Sequence, residues 1–199
     1  PPLLLPCDVK DDRQIESVCA QIGESYERLD FIIHSVAYAE KEDLTGKFID
    51  TSREGFKEAL EISTYSLLAV ARPAAPLMTG GGSVVTLSYL GSQRFIPHYN
   101  VMGVAKAALE SAVRYLAYDL GERGIRVNAL SPGPVNTLSA RGIRGFTDFL
   151  GHARENTPLK RNIEGSEVGS AALFLCSDLS RGITGETIFV DAGYHLKGY

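Results

Sequence analysis

The sequence predicts an α/β fold in which a parallel sheet is covered by helices on both faces. Two observations predict it. Short apolar runs alternate along the chain with longer stretches of helical periodicity, the pattern of strand–helix–strand units. The run Phe31-Ile32-Ile33-His34-Ser35-Val36 is almost continuously apolar, as a strand buried on both faces is.

Each element has its own signal. Leu3–Cys7 reads as the end of a strand. Ile15, Val18, Cys19 and Ile22 fall on one face of a helix over Asp11–Tyr26, with Asp11 or Asp12 as its cap. Phe31–Val36 is the next strand. Ser52 caps a long helix running toward Ala71, with Pro73 near its end. Gly80-Gly81-Gly82 turns into a strand over Ser83–Ser88. A helix spans Tyr99–Arg123 and breaks near Gly124, before a strand over Ile125–Leu130. Ser131-Pro132-Gly133-Pro134 forms a loop, and Thr137–Phe149 is weakly patterned. Val168, Ala171, Ala172 and Leu175 mark a helix over Glu167–Cys176. Gly182-Ile183-Thr184-Gly185 turns into a last strand, Thr187–Asp191.

Bulk properties narrow the function. The 199 residues suit a single domain, 1–199, with a sizeable core. Net charge is −4, so no basic excess argues for nucleic acid. No apolar run approaches the ~20 residues that a membrane-spanning helix needs. Cys7, Cys19 and Cys176 are scattered and odd in number, which suits small buried thiols in a reducing compartment. His34, His98, His152 and His195 form no metal-binding spacing.

The chemistry is concentrated in residues 87–106. Tyr99 and Lys106 stand seven residues apart, close to two helical turns, so both side chains can share a face. Tyr89 lies ten residues before Tyr99. A phenol and an ammonium are both donors, suited to an oxygen that gains negative charge. Without further context, the three also fit two core tyrosines and a surface lysine.

The common short-chain dehydrogenase pattern is Ser-x12-Tyr-x3-Lys. Anchored on Lys106, it would place tyrosine at 102 and serine at 89, but these positions hold Met102 and Tyr89. The departure, with Leu87-Ser88-Tyr89-Leu90-Gly91 and Tyr99-Asn100-Val101-Met102-Gly103, resembles the bacterial enoyl-(acyl-carrier-protein) reductases, whose signature is Tyr-x6-Lys. The resemblance runs through essentially the whole chain. It implies a Rossmann-like, doubly wound sheet and reduction of trans-2-enoyl thioesters in fatty acid biosynthesis. NADH is the implied cofactor, with NADPH as the alternative. Acyl-carrier protein is the implied partner, a homotetramer the implied assembly, and the cytoplasm the implied location.

Site residues follow from the same resemblance. Tyr99, Lys106 and Tyr89 are the catalytic candidates, with Tyr89 either assisting at the thioester or filling space. Asp8 and Val9 face the adenine. Ser35 and Val36 pass along the adenosine and nicotinamide ribose, and Lys106 holds the ribose hydroxyls. Val135, Thr137, Leu138 and Ser139 belong to the nicotinamide and phosphate loop, where Pro132 replaces the family's usual alanine and removes an N–H donor. Ala39, Tyr89, Tyr99, Met102, Ile143 and Phe146 are the substrate contacts, the last two from a lid over about 137–150. A buried His34 is expected to be structural. The first strand and glycine-rich phosphate turn of such folds are expected to precede Asp8 and are absent here, so residues 1–199 alone are expected to bind cofactor poorly. The competing readings are a carbonyl reductase of the same fold and a non-catalytic cofactor-binding protein.

Overall fold

The computed structural model describes residues 3–135 and 146–197, with the side chains of 146–149 left out of account. Among the described residues, four parallel strands form one sheet in the order of the chain: β1 (Phe31–His34), β2 (Gly82–Leu87), β3 (Ile125–Pro132) and β4 (Thr187–Val190). Ile32 pairs with Val84, Val84 with Val127, and Ala129 with Thr187. Because every pairing is parallel, the carboxyl ends of all four strands lie along one edge. Ligands of open α/β sheets bind at such an edge.

The helices are α1 (Asp12–Ser25), the short α2 (Lys41–Leu44), α3 (Arg53–Leu60), α4 (Ser66–Ala74), α5 (Asn100–Gly121), α6 (Phe146–Asn156) and α7 (Gly165–Cys176). Strand side chains alternate between two cores, as the period of two requires. Val84, Val127 and Ala129 pack with Leu67 of α4 and with Leu109, Val113 and Ala117 of α5. Val85 and Leu130 pack on the opposite face against Ala172 and Leu175 of α7. The expected layers are therefore present. Arg126 strengthens the α7 side: its guanidinium donates to the Leu175 carbonyl at 2.8 Å and the Ser177 carbonyl at 3.2 Å, satisfying backbone acceptors at the helix end.

Several elements differ from the expectation. Leu3–Cys7 forms no strand. It has no ladder partner among the described residues, and Leu3 and Leu4 are exposed rather than packed. Cys7 is exposed for the same reason, whereas Cys19 is buried and Cys176 half-buried. The long helix after Ser52 is interrupted by a π turn over Glu61–Tyr65, and Pro73 lies inside α4. Tyr99 caps α5 instead of lying within it. His98 and Asn100 on either side have φ of 61° and 34°, which a continuing right-handed helix excludes. Gly124, at φ 70°, ends the turn that follows α5. The helix α6 was not legible as one in the sequence.

Candidate active site

The site grows from the end of β2 and the start of α5. Ser88 follows β2 and stays attached to the sheet through its N–H, which donates to the Leu130 carbonyl at 2.7 Å. Tyr89 comes next in an extended conformation, and a tight turn over Leu90–Ser92 follows. That turn leads the Tyr89 ring back onto Tyr99. The two rings meet edge to face, with centroids 4.8 Å apart. Gly91 makes the contact possible, since a Cβ there would lie 2.4 Å from Tyr99 Cδ1. Gly103, the next residue but three along α5, lets the Gly91 carbonyl approach; a Cβ would lie 2.8 Å from that oxygen.

Lys106 is buried on α5, and its ammonium donates to the Leu87 carbonyl at 2.6 Å. An ammonium carries three donors, so this contact leaves others for a ligand. Burial lowers the Lys106 pKa to about 8, against the opposing attraction of Glu110. Burial raises both tyrosines well above the ordinary phenol range, with the neighbouring Tyr89 adding to the effect on Tyr99. Both are therefore neutral O–H donors near neutral pH.

The π turn builds the adjoining wall. Ser63 Oγ accepts from the Tyr38 N–H at 2.9 Å and donates to the Tyr38 carbonyl at 3.0 Å, and it lies 3.7 Å from Met102 Sδ. This fixes the backbone beside half-buried Ala39 against buried Met102. Thr64 Oγ1 donates to the Ala105 carbonyl at 2.8 Å, one residue before Lys106. The hydroxyls of this segment thus tie the chain beyond β1 to the helix that carries Lys106.

The remaining candidates line up along the same sheet edge or beside it. Ser35 is exposed and Val36 half-buried just beyond β1. Val135 is half-buried beyond β3, and the Gly133 N–H carries the ladder to the Val190 carbonyl at 2.8 Å, past the donor that Pro132 lacks. Asp8 is exposed, and its Oδ1 accepts the Lys10 N–H at 2.9 Å in a turn leading into α1. Val9 is half-buried and lines a recess with Asp11, Glu61 and Tyr65. Thr137, Leu138, Ser139 and Ile143 lie outside the described residues, and the Phe146 side chain is not described.

His34 is structural in this geometry. Its ring nitrogens lie 2.9 Å from Thr86 Oγ1 and 2.8 Å from Ser66 Oγ, and burial, with Lys106 nearby, lowers its pKa to about 4. Ser131 is different. Its hydroxyl is buried at the end of β3 without a hydrogen-bond partner. An orphaned polar atom at the carboxyl end of a strand, together with the spare donors of the Lys106 ammonium, fits a polyhydroxylated cofactor such as a dinucleotide. Among the described residues no cluster of His, Cys, Asp and Glu could hold a metal. No helix among them is long and apolar enough to cross a membrane.

Comparison with known proteins agrees with this geometry. The family described as enoyl-(acyl carrier protein) reductase matches residues 2–195. The chain belongs to that family. It is 52% identical to the NADH enoyl-(acyl-carrier-protein) reductase FabI of Nostoc sp. over 100% of this chain and 77% of the relative. The NADPH enzyme of Staphylococcus aureus is also 52% identical, over 96% of this chain and 75% of its own length. The crystal structure of the Bacillus cereus enoyl-acyl carrier protein reductase, with NADP+ and indole naphthyridinone, superposes with a TM-score of 0.97 at 51% identity. That match covers 99% of this chain and 77% of the other. The enoyl reductases thus share the layered parallel sheet described above.

Proposed function

We propose that the chain reduces the trans-2 double bond of an enoyl thioester carried on acyl-carrier protein, with NADH as cofactor and NADPH as the alternative. The observation that carries this reading is the packing of Tyr89 on Tyr99 at the start of the helix that buries Lys106. A carbonyl reductase of the common pattern needs a serine where this chain has Tyr89 and a tyrosine where it has Met102.

A nicotinamide held here would supply a hydride to the β-carbon of the substrate. Electron density then moves through the α-carbon onto the thioester oxygen, and a proton taken up at the α-carbon completes the reduction. Tyr99 donates a hydrogen bond to that oxygen. Its raised pKa keeps it a phenol, able to donate while the charge develops. One well-placed donor of this kind is worth about 3 kcal/mol in the transition state. Tyr89 shapes the pocket and assists at the thioester. Lys106 holds the ribose hydroxyls with the donors left free by Leu87. Asp8 and Val9 face the adenine, Ser35 and Val36 the ribose side, Val135 the carboxamide through its backbone, and Thr137, Leu138 and Ser139 the phosphates. Ala39 and Met102 line the acyl pocket. Ile143 and Phe146, within a lid over about 137–150, complete it by resemblance to the family.

The same reading assigns a homotetramer in the cytoplasm. Tyr115 and Tyr118 of α5 are 74% and 85% exposed, which supplies apolar surface for subunit packing. The deciding experiment follows NADH oxidation by the intact enzyme. Crotonyl thioesters should be turned over and ketones left almost untouched. Comparable turnover of a β-ketoacyl thioester would replace this reading with a carbonyl reductase.

A further inference from the structure

A buried carboxylate lies one turn beyond Lys106 on α5, outside the Tyr/Tyr/Lys set. Glu110 is 7% exposed. Its Oε1 accepts the Ser88 hydroxyl at 2.5 Å and the Ser92 hydroxyl at 2.6 Å, and its Oε2 accepts the Gln93 amide at 3.3 Å. All three donors come from the segment that carries Tyr89, and two of them bracket it in sequence. Lys106, one turn earlier on the same helix, holds Leu87. Two positions of α5 one turn apart therefore grip residues 87–93, the cation before Tyr89 and the carboxylate on both sides of it.

A merely space-filling residue would not be built this way. Taking a carboxylate out of water is costly, and an apolar side chain of similar volume fills a core more cheaply. Here the cost is offset by short, charge-assisted hydrogen bonds from two hydroxyls. Those bonds add side-chain restraints to a turn that is also held by the Ser88 N–H to the Leu130 carbonyl, its own backbone bonds, buried Leu90, the close approach of Gly91 to Gly103, and the Tyr99 ring. The Tyr89 backbone gets its lateral position from Glu110 on either side.

We infer that Glu110 is a positioning residue, which clamps Ser88 and Ser92 and thereby sets where the Tyr89 ring and hydroxyl stand against Tyr99 and the substrate. The effect on turnover rests on the reading that Tyr89 touches the thioester; the positioning itself does not. Glu110 also faces Lys106 from the same helix, but the inference concerns placement, not charge.

The test uses the intact enzyme labelled with 3-fluorotyrosine, the Tyr89 resonance being assigned by its loss in Tyr89→Phe. Glu110→Ala should shift or broaden that resonance, and Glu110→Gln, which keeps an acceptor for both serines, should largely restore it. Ser92→Ala, a milder change at a half-buried position, should move the resonance in the same direction if Glu110→Ala does not fold. Turnover with crotonyl thioester should fall between about ten- and a hundredfold in Glu110→Ala, the scale of loss for a small misplacement of a catalytic group. In the Tyr89→Phe background the same substitution should add little, since residues acting through one another are not additive. An unmoved Tyr89 resonance in a folded Glu110→Ala or Ser92→Ala protein would overturn the inference. A moved resonance with unchanged turnover would uphold the positioning and instead remove Tyr89 from the chemistry.

Discussion

The Tyr99 ring sits edge to face against Tyr89, its plane inclined 67° to its neighbour's. The contact joins the end of a strand to the start of a helix, so a phenol on each element reaches one small volume. Both phenols are driven by burial toward the protonated form. Tyr99→Phe should therefore lower kcat by about a hundredfold, the usual loss for one oxyanion donor. The cofactor dissociation constant should hardly move, and stopped-flow turnover with cofactor titration checks both.

Lys106→Met should act on binding first, raising the cofactor dissociation constant at least about tenfold, the equivalent of about 1.4 kcal/mol of lost hydrogen bonding. Fluorescence titration with NADH checks it, and an unchanged constant would remove Lys106 from the ribose.

The same lysine predicts a pH effect on stability. Its folded pKa of about 8 lies below its ordinary value of 10.5. Between these values the unfolded chain binds more protons, so this group makes stability rise with pH over that window. Denaturant midpoints measured from pH 8 to 10.5 should show a rise in the parent protein that Lys106→Met lacks.

His34 works in the acid range. Its pKa falls from 6.5 unfolded to about 4 folded. The unfolded chain again binds more protons in between, so stability is lost as pH falls through that interval, by about 3 kcal/mol at most. His34→Gln should flatten the acid limb of the stability profile between pH 6.5 and 4, at some cost at pH 7 from the disturbed bonds to Thr86 and Ser66.

Gly91→Ala should displace the Tyr99 ring, because the new methyl would lie 2.4 Å and 2.7 Å from two of its ring carbons. The expected cost is about 1–3 kcal/mol of stability, as for an overpacked core site. Turnover should fall with it. A variant with unchanged melting temperature and kcat would show that the ring can retreat without loss.

Much of the sheet was legible because short apolar runs between helical stretches announce strands, although β1 is not buried on both faces as expected: Phe31 and Ile33 are exposed. The runs that became β1, β2, β3 and β4 each lie within two residues of the expected bounds. Asp11 was legible as a cap, since a short acceptor before a helical stripe satisfies free N–H groups; its carboxylate takes the Arg13 N–H at 3.0 Å. Leu3–Cys7 misled because an apolar run is necessary for a strand but a partner is what makes one. The π turn was illegible because Glu61-Ile62-Ser63-Thr64-Tyr65 carries no breaker. Its conformation is set by contacts with residues distant in sequence. At the candidate site, the Tyr-x6-Lys spacing singled out Tyr99 and Lys106 and the wider motif added Tyr89, while Glu110 and Ser63 escaped and Gly91 entered only as a letter of the motif. The i, i+4 spacing of Lys106 and Glu110 was a usable signal, since it puts opposite charges on one inward helix face. Nothing local marked Gly91, whose requirement comes from a ring eight residues away.

The π turn at Glu61–Tyr65 has a consequence for how this wall of the pocket can change. A π turn takes up one residue more than the α-helical repeat needs, so the helices on its two sides keep a common phase about their axis. Deleting a single residue there would let α3 and α4 merge into an unbroken helix with nearly their present faces still turned to the core. Only the residues inside the turn would be re-aimed, and Ser63 and Thr64 would leave Tyr38 and Ala105. The segment thus lets the wall beside Ala39 and Met102 be rebuilt by one deletion, without altering the packing of the helices or the strands on either side.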